Sequence, residues 1–326
     1  MKESQRVMCA VDFSKPNDAA FRHAVAAAKS RNAELNVVCA VPRSVRFNWQ
    51  GRQRAALLAG FRRSADAEGV RMTVSVQHGD PAGVILLHAN SSNSPSVPDL
   101  LVLGAPGPRG IDRFRFASVA ERVLHLAPCP TLIARASEDG AESPQLRPFQ
   151  RILCAVDFSP ASLSALDEAI RVFREGGVVL RLLHVVSRTA PSVPRLAWEF
   201  SGVDFTEALA DAAWRRLRRL LPLSADLYGR LHAQVLVGQV EEEITRAAAD
   251  MQADVVVMGV TSRGRLARLF GSTTARLLRR SQWPVLGVPE LTMYDTCCDP
   301  SIAAGWTGRL DLFSTDRTVP SARPPS

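Results

Sequence analysis

Aromatic residues make up only 6% of the 326-residue chain, too few for the ring platforms that stack unpaired bases. No apolar run approaches the roughly 18–20 residues that a membrane-spanning helix requires. The N-terminus runs from Met1 into an apolar strand at Arg6, so the expectation is a cytoplasmic chain without a signal peptide. The sequence has no H-E-x-x-H, no paired C-x-x-C and no G-x-S-x-G, the short signatures of zinc hydrolases, cysteine metal sites and hydrolase nucleophiles. Its six histidines, at 23, 78, 88, 125, 184 and 232, stand singly, and no metal site is expected from them. Its six cysteines fit no paired framework. Cys9 and Cys154 lie inside apolar runs and Cys297-Cys298 are neighbours in a polar tail, a pattern of buried, reduced thiols.

What the chain does have is a core-forming composition and excess positive charge. It is 46% hydrophobic and 22% charged, with a net charge of +8. A basic balance suits anionic partners without choosing among nucleotide, nucleic acid and acidic protein. Arg215-Arg216 and Arg218-Arg219 flank Leu217 and Leu220 at helical spacing, which reads as a solvated helix face rather than a nucleic-acid surface.

One unit is written twice. Arg6-VMCAVDFS and Arg151-ILCAVDFS are nearly identical at an offset of 145 residues; Asp99-LLVLG matches Asp254-VVVMG at 155, and Pro130-TLIA matches Pro284-VLGV at 154. A repeat this long indicates duplicated domains rather than a solenoid. Each copy alternates apolar strands with helices, which predicts two doubly wound α/β domains, each a five-stranded parallel sheet flanked by helices. In the first copy the expected strands are 6–12, 34–41, 70–77, 100–103 and 131–134, with helices at 17–30, 50–68, 81–89 and 118–126. The second copy repeats the order, its strands expected at 151–157, 178–186, 231–237, 255–258 and 285–288. The domains are assigned to residues 1–136 and 150–290, joined by the polar linker 137–149. Residues 291–326 show no periodicity and are expected to be a disordered tail. Sheets of this kind bind ligands at the carboxyl ends of their strands, where the winding reverses.

The stretch from Asp254 to Pro289 shows how such a site is assembled. A buried strand ends at Gly259, a glycine- and arginine-bearing loop follows, and Gly271-Ser272-Thr273 opens a helix. A helix start offers unpaired N–H groups and a partial positive charge, an arrangement suited to phosphate. The spacing Gly259-VTSR-Gly264 is followed by Arg265-Leu266 instead of Lys-Ser/Thr, which excludes a P-loop.

On these residues each copy resembles the universal stress protein family, and the whole resembles its tandem two-domain members, over about residues 5–136 and 150–290. The resemblance implies a Rossmann-like, adenine nucleotide alpha hydrolase-like fold that binds ATP, which Mg2+ can accompany. ATP-binding members carry an aspartate after the first strand and a Gly-x-x-Gly-x9-Gly-Ser/Thr loop after the fourth. Asp12 and Asp157 match the aspartate. In the first copy the loop reads Gly104, Gly107 and then Ala117-Ser118, with alanine in place of the third glycine; in the second, Gly259 and Gly271-Ser272 match, Ser262 replaces the second glycine, and the spacing is one residue short. The family's adenine contact falls on Ala40 or Val41 and on Val185 or Val186.

Loop length favours the first copy as the nucleotide pocket and Arg263, Arg265 and Arg268 favour the second; since an arginine cannot restore misdirected backbone donors, the first copy is expected to be the better pocket. The expected function is non-catalytic: a stress-response or regulatory protein that binds an adenine nucleotide in at least one copy, with at most weak ATPase activity. Related synthetases carry a Ser-Gly-Gly-x-Asp-Ser loop where this chain has Asp12-Phe13-Ser14 and Asp157-Phe158-Ser159. The alternative is a scaffold without nucleotide that acts through protein partners. Family members commonly dimerise through their final strands, so the two copies are expected to pack as an intramolecular pseudo-dimer, with further self-association left open.

Overall fold

The computed structural model describes residues 5–11, 17–41, 51–90, 97–105, 112–135, 149–174, 177–187, 205–221, 230–261, 274, 276–278 and 281–290. The first copy runs β1 (Arg6–Val11), α1 (Asn17–Arg31), β2 (Glu34–Val41), α2 (Gly51–Ala67), β3 (Met72–His78), α3 (Pro81–Ala89), β4 (Leu100–Gly104), α4 (Asp112–Leu126) and β5 (Thr131–Ala134). The second runs β6 (Arg151–Ala155), α5 (Pro160–Arg174), β7 (Val179–Ser187), α6 (Phe205–Arg219), β8 (Leu231–Gly238), α7 (Val240–Asp250), β9 (Val255–Val260) and β10 (Val285–Pro289). Thr274 and residues 276–278 are helical as well.

The strands join in one ten-stranded sheet of order β3-β2-β1-β4-β5-β10-β9-β6-β7-β8. Within each copy all pairings are parallel, and the winding reverses between β1 and β4, and again between β6 and β9. Parallel strands are covered on both faces, which explains why β1 is buried at every position. One apolar layer gathers residues of α1, α2, α5 and α6 against one face of the sheet. A second gathers α3, α4, α7 and Leu277-Leu278 on the other.

The repeated aspartates of the fourth-strand motif turn out to be ties at the amino edge. The Asp99 carboxylate accepts the Arg6 amide at 2.7 Å. Asp254 accepts the amides of Gln150 and Arg151, each at 2.8 Å. Each tie fixes where the first and fourth strands begin relative to one another.

The copies meet as the sequence leads one to expect, through their last strands. β5 and β10 pair antiparallel, Ile133 opposite Val285 and Thr131 opposite Gly287, which hides two edges that would otherwise be open to association. Elements cross this seam in both directions. Leu124 of α4 packs on Gly287 so closely that a Cβ there would overlap it, and the Arg135 guanidinium donates to the Leu278 carbonyl. On the opposite face Arg31 of α1 pairs with the buried Glu168 of α5 at 3.3 Å, and His23 stacks on Phe149.

Most strand and helix bounds lie within two residues of expectation, but one differs in consequence. α4 begins at Asp112, six residues before the expected start at Ser118. The sequence from Asp112 to Phe116 contains no glycine or proline, so nothing in it prevents the helix from extending toward the N-terminus. Ala117 and Ser118 therefore sit inside a helix, where backbone N–H groups bond to carbonyls four residues earlier.

Candidate functional site

Because β5 and β10 run antiparallel, the carboxyl edges of the two copies lie at opposite ends of the strands. At the first copy's edge stand Ala40 and Val41, both buried at the end of β2, and Gly104, the last residue of β4. Asp12, Gly107, Ser262, Gly271, Ser272 and Thr273 lie outside the described residues. The first copy's described part thus offers no backbone donor at Ala117 or Ser118, whose N–H groups lie within α4.

The second copy's edge is described in more chemical detail. β6 delivers Asp157, β7 delivers His184, Val185 and Val186, and β9 delivers Gly259. Asp157 is exposed and its Oδ1 accepts two hydrogen bonds, from the Ser159 amide at 2.9 Å and the Ser159 hydroxyl at 2.5 Å. Burial against the sheet raises the pKa of this carboxyl, but the Ser159 hydrogen bonds outweigh it and hold the group below the usual aspartate value. Asp157 is an anion at neutral pH.

Ser159 also starts the following helix. Its Oγ accepts the Ser162 amide at 3.2 Å and its carbonyl accepts the Leu163 amide at 3.0 Å, so it acts as the N-cap of α5. Between the two, Phe158 adopts a left-handed backbone with φ of 64°, unusual for a bulky side chain. Its ring centroid lies 4.6 Å from that of the His184 ring, and the Arg216 guanidinium sits over the ring, 4.4 Å from its centroid.

His184 Nδ1 lies 2.7 Å from the Val156 carbonyl. A carbonyl can only accept, so Nδ1 carries the proton and Nε2 does not. Burial lowers the pKa of this imidazole, with the Val156 bond and the Asp157 charge opposing that and Arg216 adding to it.

Gly259 has a role that the loop motif does not suggest. A Cβ at this position would overlap the backbone of Ala161 and Ser162. The glycine lets the first turn of α5 lie directly on β9 at the point where the winding reverses. Val185 and Val186 lie farther along β7, Val186 buried and Val185 partly so.

Sequence reasoning placed Asp157, Gly259 and the β7 end on one edge, and the structure brings them together there. It missed the parts played by Ser159, Phe158 and Arg216. The Asp-x-Ser spacing before a helix was a usable signal, since Asp and Ser both favour such turns and caps. No sequence signal announces a left-handed phenylalanine.

The fold is that of a tandem, doubly wound α/β protein, and comparison with known proteins gives the family. The model of the Universal stress protein family matches residues 3–135 and again 148–289, and the chain belongs to that family. Universal stress protein MJ0531 of Methanocaldococcus jannaschii is 28% identical over 146 residues, 44% of this chain and 83% of the relative. A putative universal stress protein of Staphylococcus aureus strain USA300 is 28% identical over 161 residues, 45% of this chain and 93% of the relative. Among solved structures, a universal stress protein from Archaeoglobus fulgidus DSM 4304 superposes with a TM-score of 0.63 at 19% identity, covering 87% of this chain and 96% of that one. A putative universal stress protein from Pseudomonas aeruginosa UCBPP-PA14 gives 0.60 at 17% identity, covering 88% and 94%. These two likenesses establish the fold across both copies. Among the described residues no helix is long and apolar enough to cross a membrane.

Proposed function

We propose that this protein binds ATP or a related adenine nucleotide in its second copy, without turning it over, and that occupancy regulates a stress response through protein partners. The observation that carries this reading is the Asp157 carboxylate, kept anionic by Ser159 at the carboxyl end of β6, beside the point where the winding reverses. An anionic carboxylate there can accept hydrogen bonds from ribose hydroxyls. The ends of β7 provide apolar walls for the base at Val185 and Val186. Among the described residues no group of three or more His, Cys, Asp or Glu is disposed to hold a metal; any Mg2+ would arrive with the phosphates it bridges.

The first copy then serves as the fixed half of a pseudo-dimer. That reading follows from α4, whose early start uses the amides of Ala117 and Ser118 within the helix. On this reading the second copy is preferred, although loop length alone favours the first. Cys9, Cys39, Cys129 and Cys154 are buried thiols rather than disulfides, which suits a reducing compartment, hence the cytoplasm.

Titration of the full-length protein with ATP, with and without Mg2+, tests the proposal. Asp157→Asn is expected to weaken binding about tenfold or more, the effect of losing a charge-assisted contact, and Asp12→Asn to leave it within about twofold. Equal affinity in the wild type and both variants refutes the ribose role of Asp157. Absence of binding in the wild type favours the second reading, a nucleotide-free scaffold, whose support is the extensive seam between the copies.

A further inference from the structure

The turn after β6 is held from three directions, and one side chain connects them. Val156 continues the ladder with its amide, which donates to the Leu183 carbonyl at 2.8 Å. Its own carbonyl bonds to the His184 side chain instead of to the next β7 amide. The ladder therefore ends on an imidazole, and the next residue is Asp157. After it, Phe158 turns the chain through its left-handed conformation with its ring against the same imidazole. A left-handed non-glycine residue is strained and persists only where its surroundings over-determine it. His184 contributes twice to that over-determination, once through Nδ1–H and once through its ring face, and the Arg216 guanidinium adds a further contact over the Phe158 ring.

Among the described residues of the first copy, a different side chain stands at the equivalent place. β1 pairs Ala10 with Val38, and β6 pairs Ala155 with Leu183, so the residue aligned with His184 is Cys39. A buried thiol has neither a strong donor nor a ring face to offer a following phenylalanine.

We propose that His184 is the positioning residue of the second copy's site: it fixes the Val156–Ser159 turn and thereby aims the Asp157 carboxylate at the ligand. The ligand named, an adenine nucleotide, rests on the function proposed above, whereas the positioning does not. His184 acts through Asp157 and Ser159 and need not touch the ligand itself.

Two variants separate its two contributions. His184→Asn retains a donor that can reach the Val156 carbonyl, in the place of Nδ1–H. His184→Phe retains a ring against Phe158 and removes the donor. The first readout needs no nucleotide: carboxyl-carbon NMR titration of Asp157 in the full-length protein. His184→Phe is expected to shift the Asp157 midpoint upward by about one pH unit as its Ser159 bonds loosen, and His184→Asn to restore most of the wild-type value. The second readout is ATP affinity, expected to fall about tenfold in His184→Phe and to stay within about threefold in His184→Asn. An unmoved Asp157 titration in His184→Phe overturns the proposal, whereas an equal upward shift in both variants supports it with the ring face and the donor contributing alike. A wild-type protein that takes no ATP while the Asp157 titration still follows the His184 variants refutes the nucleotide reading alone and supports the positioning.

Discussion

The two copies share a strand order and a face pattern, yet at equivalent places they carry different chemistry. Cys39 stands where the second copy has His184. His23 of α1 and Glu168 of α5 occupy matching helix positions, three residues after Ala20 and Ala165 and one before Ala24 and Ala169, all four of which are buried. One is an imidazole stacked on Phe149; the other is a carboxylate held by Arg31 from across the seam and by Arg171 from its own helix. In a true two-fold dimer, a residue near the axis must tolerate its own duplicate. Fusion of the copies in one chain removes that restriction, so the faces near the axis can become complementary rather than identical. The first strands, β1 and β6, remained nearly identical.

Three measurements would break or sharpen this comparison. The largest effect is expected at Gly259, where an added methyl meets the backbone of α5 and not a movable side chain. Gly259→Ala should cost about 3 kcal/mol or more, at the upper end for overpacking, read as a lowered denaturation midpoint. A loss under about 1 kcal/mol would show that α5 can lift away from β9, and that the close approach is not a requirement of the second copy.

Acid tests the seam. Burial, reinforced by the neighbouring Arg22, lowers the His23 pKa to about 4 from the ordinary histidine value of 6.5. The imidazole is thus neutral in the folded protein, and the unfolded chain binds its proton first. Stability contributed by the neutral form is complete above the unfolded value and declines as pH falls from 6.5 towards 4. The loss amounts to about 3 kcal/mol on that account. His23→Phe should flatten the acid limb of a stability–pH profile relative to wild type. An unchanged limb would place the acid sensitivity elsewhere and remove this difference between α1 and α5.

The smallest effect is expected at Ser159. Ser159→Ala removes the cap of α5, worth about 1 kcal/mol, and both hydroxyl contacts of that side chain with Asp157 and Ser162. The Asp157 pKa should rise at the same time, visible by NMR titration. A stability loss without any change at Asp157 would separate the cap from the site, and the second copy's edge would then resemble an ordinary helix start.

Much of the fold was legible in the residues themselves. Alternating apolar strands and amphipathic helices, repeated at a nearly constant offset, are local patterns, and the period of each pattern follows from backbone geometry alone. The final strands' pairing was also within reach, because an unpaired parallel edge demands a cover. The site was only half legible. Asp157 and Gly259 were identifiable by motif, yet the motif assigned Gly259 to phosphate where the structure shows it receiving the backbone of α5. The expected helix start at Ser118 failed because six further residues with adequate helix propensity precede it, and propensity sets no sharp boundary.

By itself the sequence determined that one unit is repeated, its α/β class, its strictly alternating order of strands and helices and the edge on which Asp157 stands, since all of these follow from short-range periodicity and the order of elements. Only the tertiary structure decided how Asp157 is held, which glycine makes room for which helix, and how His23 and Glu168 came to differ. Those depend on contacts between residues far apart in the chain, such as His184 with Val156 and Arg31 with Glu168, and a pairing of that kind leaves no period in the sequence to read.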